Sequence, residues 1–190
     1  MNESKNRLMI FKYNAILSIL FFLSSTFYMG IKTINYSFSD YTISSLARFL
    51  DKENLSIFNS LFLIKSFLDL SFAYYVFKFY NLRLKTIPAV ILLVAILSFG
   101  LFGFFPINKF PLIHLIIFII TFISWIFSQY SLAKLTKDEN FIHFTKILIL
   151  IESIFGNIFL FFNYFNAISE TVYCLLIFFW LTIFISRYLG

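Results

Sequence analysis

Three ionisable residues lie inside long apolar stretches of the sequence. Lys65 and Asp69 are four residues apart in one stretch, and Glu152 lies near the middle of another. Ionisable groups within the hydrocarbon region of a membrane are costly, so each one is a candidate functional group. Residues i and i+4 share one face of a helix, and Lys65 and Asp69 can therefore form an ion pair.

The depths of Lys65, Asp69 and Glu152 predict a shared network. Counted from the ends of their stretches at about 1.5 Å per residue, the three residues reach similar depths. Two acids and one lysine leave a formal charge of minus one, which favours a shared proton or a bound cation. The network is either a proton or cation site, as in a small coupled transporter, or a buried polar cluster that fixes helix packing.

A second set of polar residues is predicted to meet at one end of these stretches. We call this set the outer-face polar cluster; its members are Asp40, Ser44, Asn59, Pro106 and His114. Aspartate, serine and histidine together can supply a nucleophile and a general base, as in a lipid hydrolase at the membrane surface. Alternatively the cluster is architectural, with Asp40 capping a short helix and His114 holding a loop backbone.

The sequence contains no pattern typical of a metal or cofactor site. Its single cysteine, Cys174, excludes an intramolecular disulfide bond. His143 is predicted to lie at the opposite end from His114, too far away for both to bind one metal ion. The residue spacings typical of zinc sites and the glycine loops that bind phosphates are absent. We therefore predict neither a metal nor a cofactor.

Composition defines the environment that must position these residues. Of 190 residues, 61% are hydrophobic and 13% are charged, against about 45–50% and about 25% in soluble domains. This composition excludes a soluble enzyme, a secreted disulfide-rich domain and a disordered regulator, and it indicates an integral membrane protein. The net charge of +6 comes from basic residues scattered between apolar runs. That pattern indicates orientation in a membrane, not binding to nucleic acid.

Six apolar runs approach the length of about 20 residues that crosses a membrane. Such runs form helices, because the backbone in lipid must satisfy its own hydrogen bonds. The predicted spans cover residues 13–32, 56–79, 87–105, 111–133, 142–165 and 168–188. The predicted fold class is all-α: one transmembrane domain, residues 1–190, formed by a bundle of six transmembrane helices. Gly100 and Gly103 predict either a close helix contact or a bend near the outer end of the third span.

The first connection, residues 33–55, is longer than the others, and long loops often carry function. Apolar residues recur within it at helical spacing from Ile43 to Leu50. This pattern predicts a short helix in the membrane interface. Asp40 precedes the pattern and is therefore predicted to cap that helix.

Basic residues in the connections predict the orientation, because Lys and Arg are enriched on the cytoplasmic side. One side carries ten of them: Lys5, Arg7, Lys12, Lys78, Arg83, Lys85, Lys134, Lys137, Lys146 and Arg187. The other side carries four: Lys32, Arg48, Lys52 and Lys109. We expect a multi-pass protein of the cell membrane with both termini in the cytoplasm.

Short motifs around the outer-face polar cluster are similar to those of a known family. The motifs are Ser39-Asp40-Tyr41-Thr42-Ile43-Ser44-Ser45-Leu46, then Asn59, then Gly103-Phe104-Phe105-Pro106, and finally His114. In this order they resemble the six-span prokaryotic membrane family catalogued as domain of unknown function 998, over nearly the whole chain. The resemblance implies the six-span layout and one site shared by the cluster, and it implies no particular reaction.

These features lead to three functional hypotheses. We favour a binding or scaffold protein whose first and third loops fold over the bundle. Its predicted partners are membrane lipids and a membrane protein or a second copy of the chain. The first alternative is an interface enzyme that uses Ser44, His114 and Asp40. The second is a small proton- or cation-coupled transporter that uses the charges within the spans.

Overall fold

The computed structural model describes residues 9–161 and 166–190 of the chain. Within these ranges the fold is all-α, with six α-helices and no strand, as predicted. The helices are α1 (Asn14–Lys32), α2 (Lys52–Phe79), α3 (Ile87–Leu101), α4 (Pro111–Thr136), α5 (Glu139–Phe161) and α6 (Ala167–Tyr188). Lys5, Arg7 and the last residues of the predicted fifth span, 162–165, lie outside the described residues.

The start of α2 and the end of α3 differ from the predicted boundaries for local reasons. α2 begins at Lys52, earlier than predicted, because the Asp51 carboxylate caps it by accepting the Asn54 N–H at 2.8 Å. α3 ends at Leu101, earlier than predicted. The following residues form tight turns, and Pro106 has no N–H with which to continue a helix.

The helices form a closed ring in which each helix packs on the next and α6 packs back on α1. α4 also contacts α6 across the ring. The Lys12 ammonium donates to the backbone oxygen of Leu189 at 3.4 Å, so the start of α1 and the C-terminus lie at the same end. We call the opposite end, which carries the first and third connections, the outer end.

Among the described residues, four helical stretches are long and apolar enough to cross a membrane. They are Ile10–Lys32, which includes a 3₁₀ turn, and Lys52–Phe79, Pro111–Thr136 and Ala167–Tyr188. α3 has 15 residues and rises about 22 Å at about 1.5 Å per residue, against about 30 Å for the hydrocarbon core. The chain is a helical membrane protein, and crossing by all six helices stays a prediction.

The close helix contact that Gly100 and Gly103 predicted is present: Gly100 in α3 and Gly103 in the turns that follow both lie against α2. A Cβ atom on Gly100 would lie 2.9 Å from the Ser66 hydroxyl oxygen. A Cβ atom on Gly103 would lie 2.6 Å from the backbone oxygen of Asn59. Because α2 and α3 lie this close together, the Ser66 hydroxyl donates to the backbone oxygen of Ile96 at 2.9 Å. The contact fixes α2 against α3, and both helices supply side chains to the site described below.

The first connection contains a short helix, as predicted, but the helix packs on the bundle. It is a 3₁₀ helix, Ser44–Arg48, in which Leu46 and Ala47 are buried. Burial of these residues between the helix ends means that the segment covers the bundle instead of lying flat on the membrane surface.

The prediction that Asp40 caps this helix is wrong. The helix begins after Ile43 and has no side-chain cap. Asp40 is exposed and lies in a separate turn, where its backbone N–H donates to the backbone oxygen of Ser37 at 3.3 Å. Three residues, 41–43, lie between Asp40 and the first residue of the helix, Ser44. The N-cap position is therefore Ile43, and Asp40 lies too early in the chain to cap the helix.

Candidate functional site

A cavity extends from the outer end of the bundle toward the middle of α2. Side chains from α1, α2, α3, α4 and α6 line it, together with Ile43 and Ser44 of the first connection. Its volume is about 120 Å³, and it opens to the outside at one end. Most of the lining is apolar or aromatic, and the charged side chains lie at its two ends.

Two helices supply regular stripes of side chains to the cavity walls. The stripes consist of His114, Phe118, Thr121, Phe122 and Trp125 on α4 and of Glu170, Tyr173, Cys174, Ile177 and Leu181 on α6. Spacings of three and four residues keep each stripe on one helix face. Phe122 stacks on Tyr173 with ring centroids 4.8 Å apart, which joins the two stripes. Gly156 of α5 accommodates this ring, because a Cβ there would lie 2.8 Å from Phe122.

Glu170 is the acidic side chain at the outer end of the cavity. It accepts the backbone N–H of Ile43 at 2.5 Å. Tyr36 lies nearby and donates to the backbone oxygen of Thr42 at 3.0 Å. Burial, and secondarily the Glu170 carboxylate, raises the pKa of Tyr36, so this hydroxyl remains a donor. Glu170 thus ties the first connection to α6.

The beginning of α6 holds the same connection through further hydrogen bonds. The Asn166 side chain donates to the backbone oxygen of Ser39 at 2.7 Å, and the Ala167 N–H donates to the backbone oxygen of Tyr41 at 2.8 Å. Asn166 also forms a capping box with Ser169, which fixes the direction in which α6 starts. The connection therefore covers the outer end of the cavity in a defined position.

His114 is buried at the first turn of α4. Its Nδ1 lies 2.8 Å from the backbone oxygen of Phe105. Because a carbonyl oxygen only accepts, Nδ1 is the donor, and in the neutral ring Nε2 is left as an acceptor. The ring also packs on Phe102, with centroids 4.6 Å apart. His114 therefore holds the third connection, as the architectural hypothesis proposed, and also borders the cavity.

The structure brings part of the outer-face polar cluster together. Ser44 and His114 both line the cavity. Asn59 is partly buried beside Gly103, and Pro106 is buried in the third connection. Asp40 does not line the cavity; its carboxylate accepts from the hydroxyl of the adjacent Ser39 at 3.3 Å. Among the hydrogen bonds described, none joins Asp40, Ser44 and His114 to one another, so no catalytic triad forms.

Lys65 and Asp69 form the inner end of the cavity, and the spacing of four residues correctly predicted their pairing. The Lys65 ammonium lies 2.6 Å from Asp69 Oδ2, and the Ser18 hydroxyl donates to Asp69 Oδ1 at 2.5 Å. The ammonium also lies over the rings of Phe99, at 4.5 Å from the centroid, and Trp125, at 5.8 Å. Both residues of the pair are almost completely buried.

The structure does not bring Glu152 into this network. Glu152 is 0% exposed, and its Oε1 accepts from the Gln129 amide at 3.1 Å. Its Oε2 has no hydrogen-bond partner among the residues that the structure describes. It is absent from the cavity lining. The reason is topological: α5 packs on α4 and α6, whereas α2 packs on α1 and α3. Equal depth in two helices does not make their side chains neighbours.

Sequence reasoning missed Glu170, Ser18 and Gln129 as members of these sites. Glu170 lies near the start of the predicted sixth span, where an acid is easily taken for an exposed end group. Ser18 and Gln129 are uncharged, so a search for ionisable residues within spans passes over them. Extending the search to every polar residue inside a span, including its first turn, would have found all three.

These observations define a helical membrane protein with a covered, largely apolar cavity at one end. The family model described as "protein of unknown function (DUF998)" matches residues 16–187. The chain belongs to this family, which confirms the resemblance of its motifs. No curated protein and no solved structure matches the chain.

Proposed function

We propose that the protein binds an apolar chain of a membrane lipid in the cavity, with the lipid headgroup at the outer end. One observation carries this proposal: an aromatic and apolar lining separates two charged ends within one cavity. Small-molecule sites are typically apolar with a few polar groups that fix the orientation of the ligand.

The ends of the cavity must provide the selectivity of such a site. A lipid tail gains little by leaving the bilayer, because the surrounding tails are as apolar as the cavity walls. Glu170, His114 and Ser44 are the polar side chains available to a headgroup at the outer end. At the inner end the Lys65–Asp69 pair closes the cavity with a salt bridge that is already satisfied, so the chain terminus meets no unpaired charge there.

A membrane-interface enzyme is the second candidate, because Ser44 and His114 line the same cavity. Their observed hydrogen bonds lead to Thr42 and to Phe105 and not to each other. A hydrolase would release fatty acid from a bound lipid and would lose this release in the Ser44→Ala variant. Lipid binding without hydrolysis predicts that neither the wild type nor the variant releases fatty acid.

Filling the cavity tests the proposal. Cys174 lines the cavity, whereas the adjacent Leu175 is 48% exposed on the outside of α6. We expect Cys174→Phe to abolish most of the lipid that co-purifies with the protein, measured by native mass spectrometry after extraction in a mild detergent. Leu175→Phe is the matched control and should retain lipid as the wild type does.

Equal lipid retention in the Cys174→Phe and Leu175→Phe variants would contradict lipid binding in the cavity. If Cys174→Phe does not fold, Ser44→Phe narrows the outer end instead. Ser44 is only partly buried, so this substitution is expected to fold and to give the same loss of lipid.

We further propose that the protein lies in the cell membrane with its termini in the cytoplasm, on the basis of the ten-to-four distribution of basic residues. Lys52 and Lys137 are exposed at opposite ends of the bundle. In a Cys174→Ala background, an impermeant maleimide applied to intact cells should modify a Lys52→Cys variant and spare a Lys137→Cys variant. The reverse pattern would contradict the orientation.

A further inference from the structure

We propose that the polar end of the ligand is an ammonium group, bound at the outer end of the cavity by the Glu170 carboxylate and the neighbouring aromatic rings. This inference rests on the proposed lipid-binding function and adds the chemical class of the headgroup. Ammonium groups occur in zwitterionic phospholipids and in free quaternary-ammonium amphiphiles, and the recognition chemistry is the same for both.

The inner end of the same cavity already contains one example of this recognition. There the Lys65 ammonium lies between a carboxylate, that of Asp69 at 2.6 Å, and an aromatic face, that of Phe99 at 4.5 Å. Cations are attracted to the faces of aromatic rings, and the attraction is stronger when water is excluded. The protein therefore uses a carboxylate and a ring together to hold an ammonium inside this cavity.

The outer end repeats this arrangement without an ammonium from the chain. Glu170 and Tyr173 lie one turn apart on the same face of α6, and Tyr173 stacks on Phe122 at 4.8 Å. Within the described residues Glu170 accepts a backbone N–H of Ile43 and makes no ion pair with a Lys or Arg side chain. A carboxylate beside aromatic rings is thus available to a cation from outside the chain.

The charges around the cavity disfavour an anionic ligand. The Lys65 ammonium is engaged by Asp69, so it is not free to bind a phosphate or carboxylate. His114 donates its Nδ1 proton to Phe105. Arg48 interacts electrostatically with His114 but is exposed and is absent from the lining.

Competition among lipids with identical acyl chains tests the inference. Phosphatidylcholine, phosphatidylglycerol and diacylglycerol are added in equal amounts to delipidated protein, and bound lipid is identified by native mass spectrometry. We expect phosphatidylcholine to exceed phosphatidylglycerol by roughly three- to tenfold. A second arm compares dodecyltrimethylammonium with dodecyl sulfate as displacers of the bound lipid.

Two variants test whether Glu170 causes the preference for phosphatidylcholine over phosphatidylglycerol. Glu170→Gln can still accept the Ile43 N–H through its amide oxygen, so it should fold and bind lipid, but the preference should fall to about equal binding. Glu53→Gln removes the same charge from an exposed position at the start of α2 and should leave the preference unchanged. In the second arm, displacement of the bound lipid by dodecyltrimethylammonium but not by dodecyl sulfate would extend the ammonium site to free amphiphiles. Displacement by neither of these two detergents would assign the site to zwitterionic lipids.

The outcomes separate the inference from the function on which it rests. Lipid binding with no preference, or with a preference for phosphatidylglycerol, would overturn the ammonium site and leave lipid binding intact. A preference that survives in Glu170→Gln would also overturn the assignment to Glu170. Absence of any bound lipid in the wild type would overturn the proposed function itself.

Discussion

Asp69 and Glu152 are both buried carboxylates, and they satisfy their hydrogen-bonding capacity to different extents. Asp69 has a partner on each oxygen, Ser18 on one and the Lys65 ammonium on the other. In the part of the chain that the structure describes, Glu152 has Gln129 on one oxygen and no partner on the other. Only Asp69 depends on a buried cation, the Lys65 ammonium, and removing one partner of a buried ion pair is strongly destabilising. The two sites should therefore respond differently to substitution.

The two carboxylates also differ in their position relative to the cavity. Asp69 borders the cavity and Glu152 does not. A ligand in the cavity therefore approaches Asp69, the fully paired carboxylate. The Lys65–Asp69 salt bridge gives the cavity a rigid and neutral inner end. This comparison indicates that Lys65 and Asp69 act as one unit and that Glu152 belongs to the separate packing of α4 against α5.

Removing Lys65 should give the largest effect. Lys65→Met leaves Asp69 as a buried carboxylate without its cation, and we expect a loss of about 3–5 kcal/mol in the free energy of unfolding. Replacing both residues, Lys65→Met with Asp69→Leu, should recover most of this loss, because a buried pair can often be exchanged for apolar groups. Unfolding in detergent, followed by circular dichroism, measures both variants. A double variant as unstable as the single one would show that the pair is not the relevant unit.

Glu152→Gln should have a smaller effect. The substituted amide can still bond to Gln129, and no ammonium is left unpaired, so we expect a change of no more than about 1 kcal/mol. In a double-mutant cycle, the effects of Glu152→Gln and Lys65→Met should add to within about 0.5 kcal/mol. A coupling energy well above 1 kcal/mol in the same unfolding assay would contradict this separation. It would support the single network of Lys65, Asp69 and Glu152 that the sequence predicted.

Asp138, which lies between α4 and α5, supplies a third carboxylate outside the membrane-spanning segments and should give the smallest effect. The Tyr188 hydroxyl donates to it at 2.5 Å and, with backbone N–H groups, lowers the pKa of Asp138 below its ordinary value of 3.8. A lowered folded-state pKa means that this stabilisation is present above pH 3.8 and is lost as the pH falls through the folded-state value.

Thermal unfolding as a function of pH measures this contribution. We expect the melting temperature of the wild type to fall somewhat more steeply below pH 3.8 than that of Asp138→Asn. The Tyr188→Phe variant should resemble Asp138→Asn, because it removes the donor that lowers the pKa. Identical pH profiles for all three proteins would mean that this hydrogen bond contributes no measurable stability.

The sequence predicted those features that depend on one helix or on two adjacent ones. Six apolar runs predicted six helices, and the spacing of Lys65 and Asp69 predicted their ion pair. Gly100 and Gly103 predicted a close helix contact or a bend, of which the structure shows the contact. Each of these follows from helical periodicity, from hydrophobicity or from the small size of glycine. All three properties can be read directly from the local sequence.

The sequence did not predict features that depend on the order of helices around the bundle. Glu152 was assigned to the wrong network because depth along a span says nothing about which helices are neighbours. Asp40 was assigned to a cap because helical spacing does not reveal the turn that precedes the helix. Glu170 was missed because its role depends on the first connection returning to α6, a contact between residues 127 positions apart.

The most direct test of the cavity as a lipid site is the quenching of Trp125 by lipids with brominated acyl chains. Trp125 lines the cavity, whereas Trp180 is 0% exposed and donates to Thr145 at 2.9 Å. In bilayers of such lipids we expect stronger quenching in the wild type than in Trp125→Phe, and a loss of the difference when Cys174→Phe fills the cavity. Quenching of Trp125 that is unchanged by Cys174→Phe would contradict a lipid chain in the cavity.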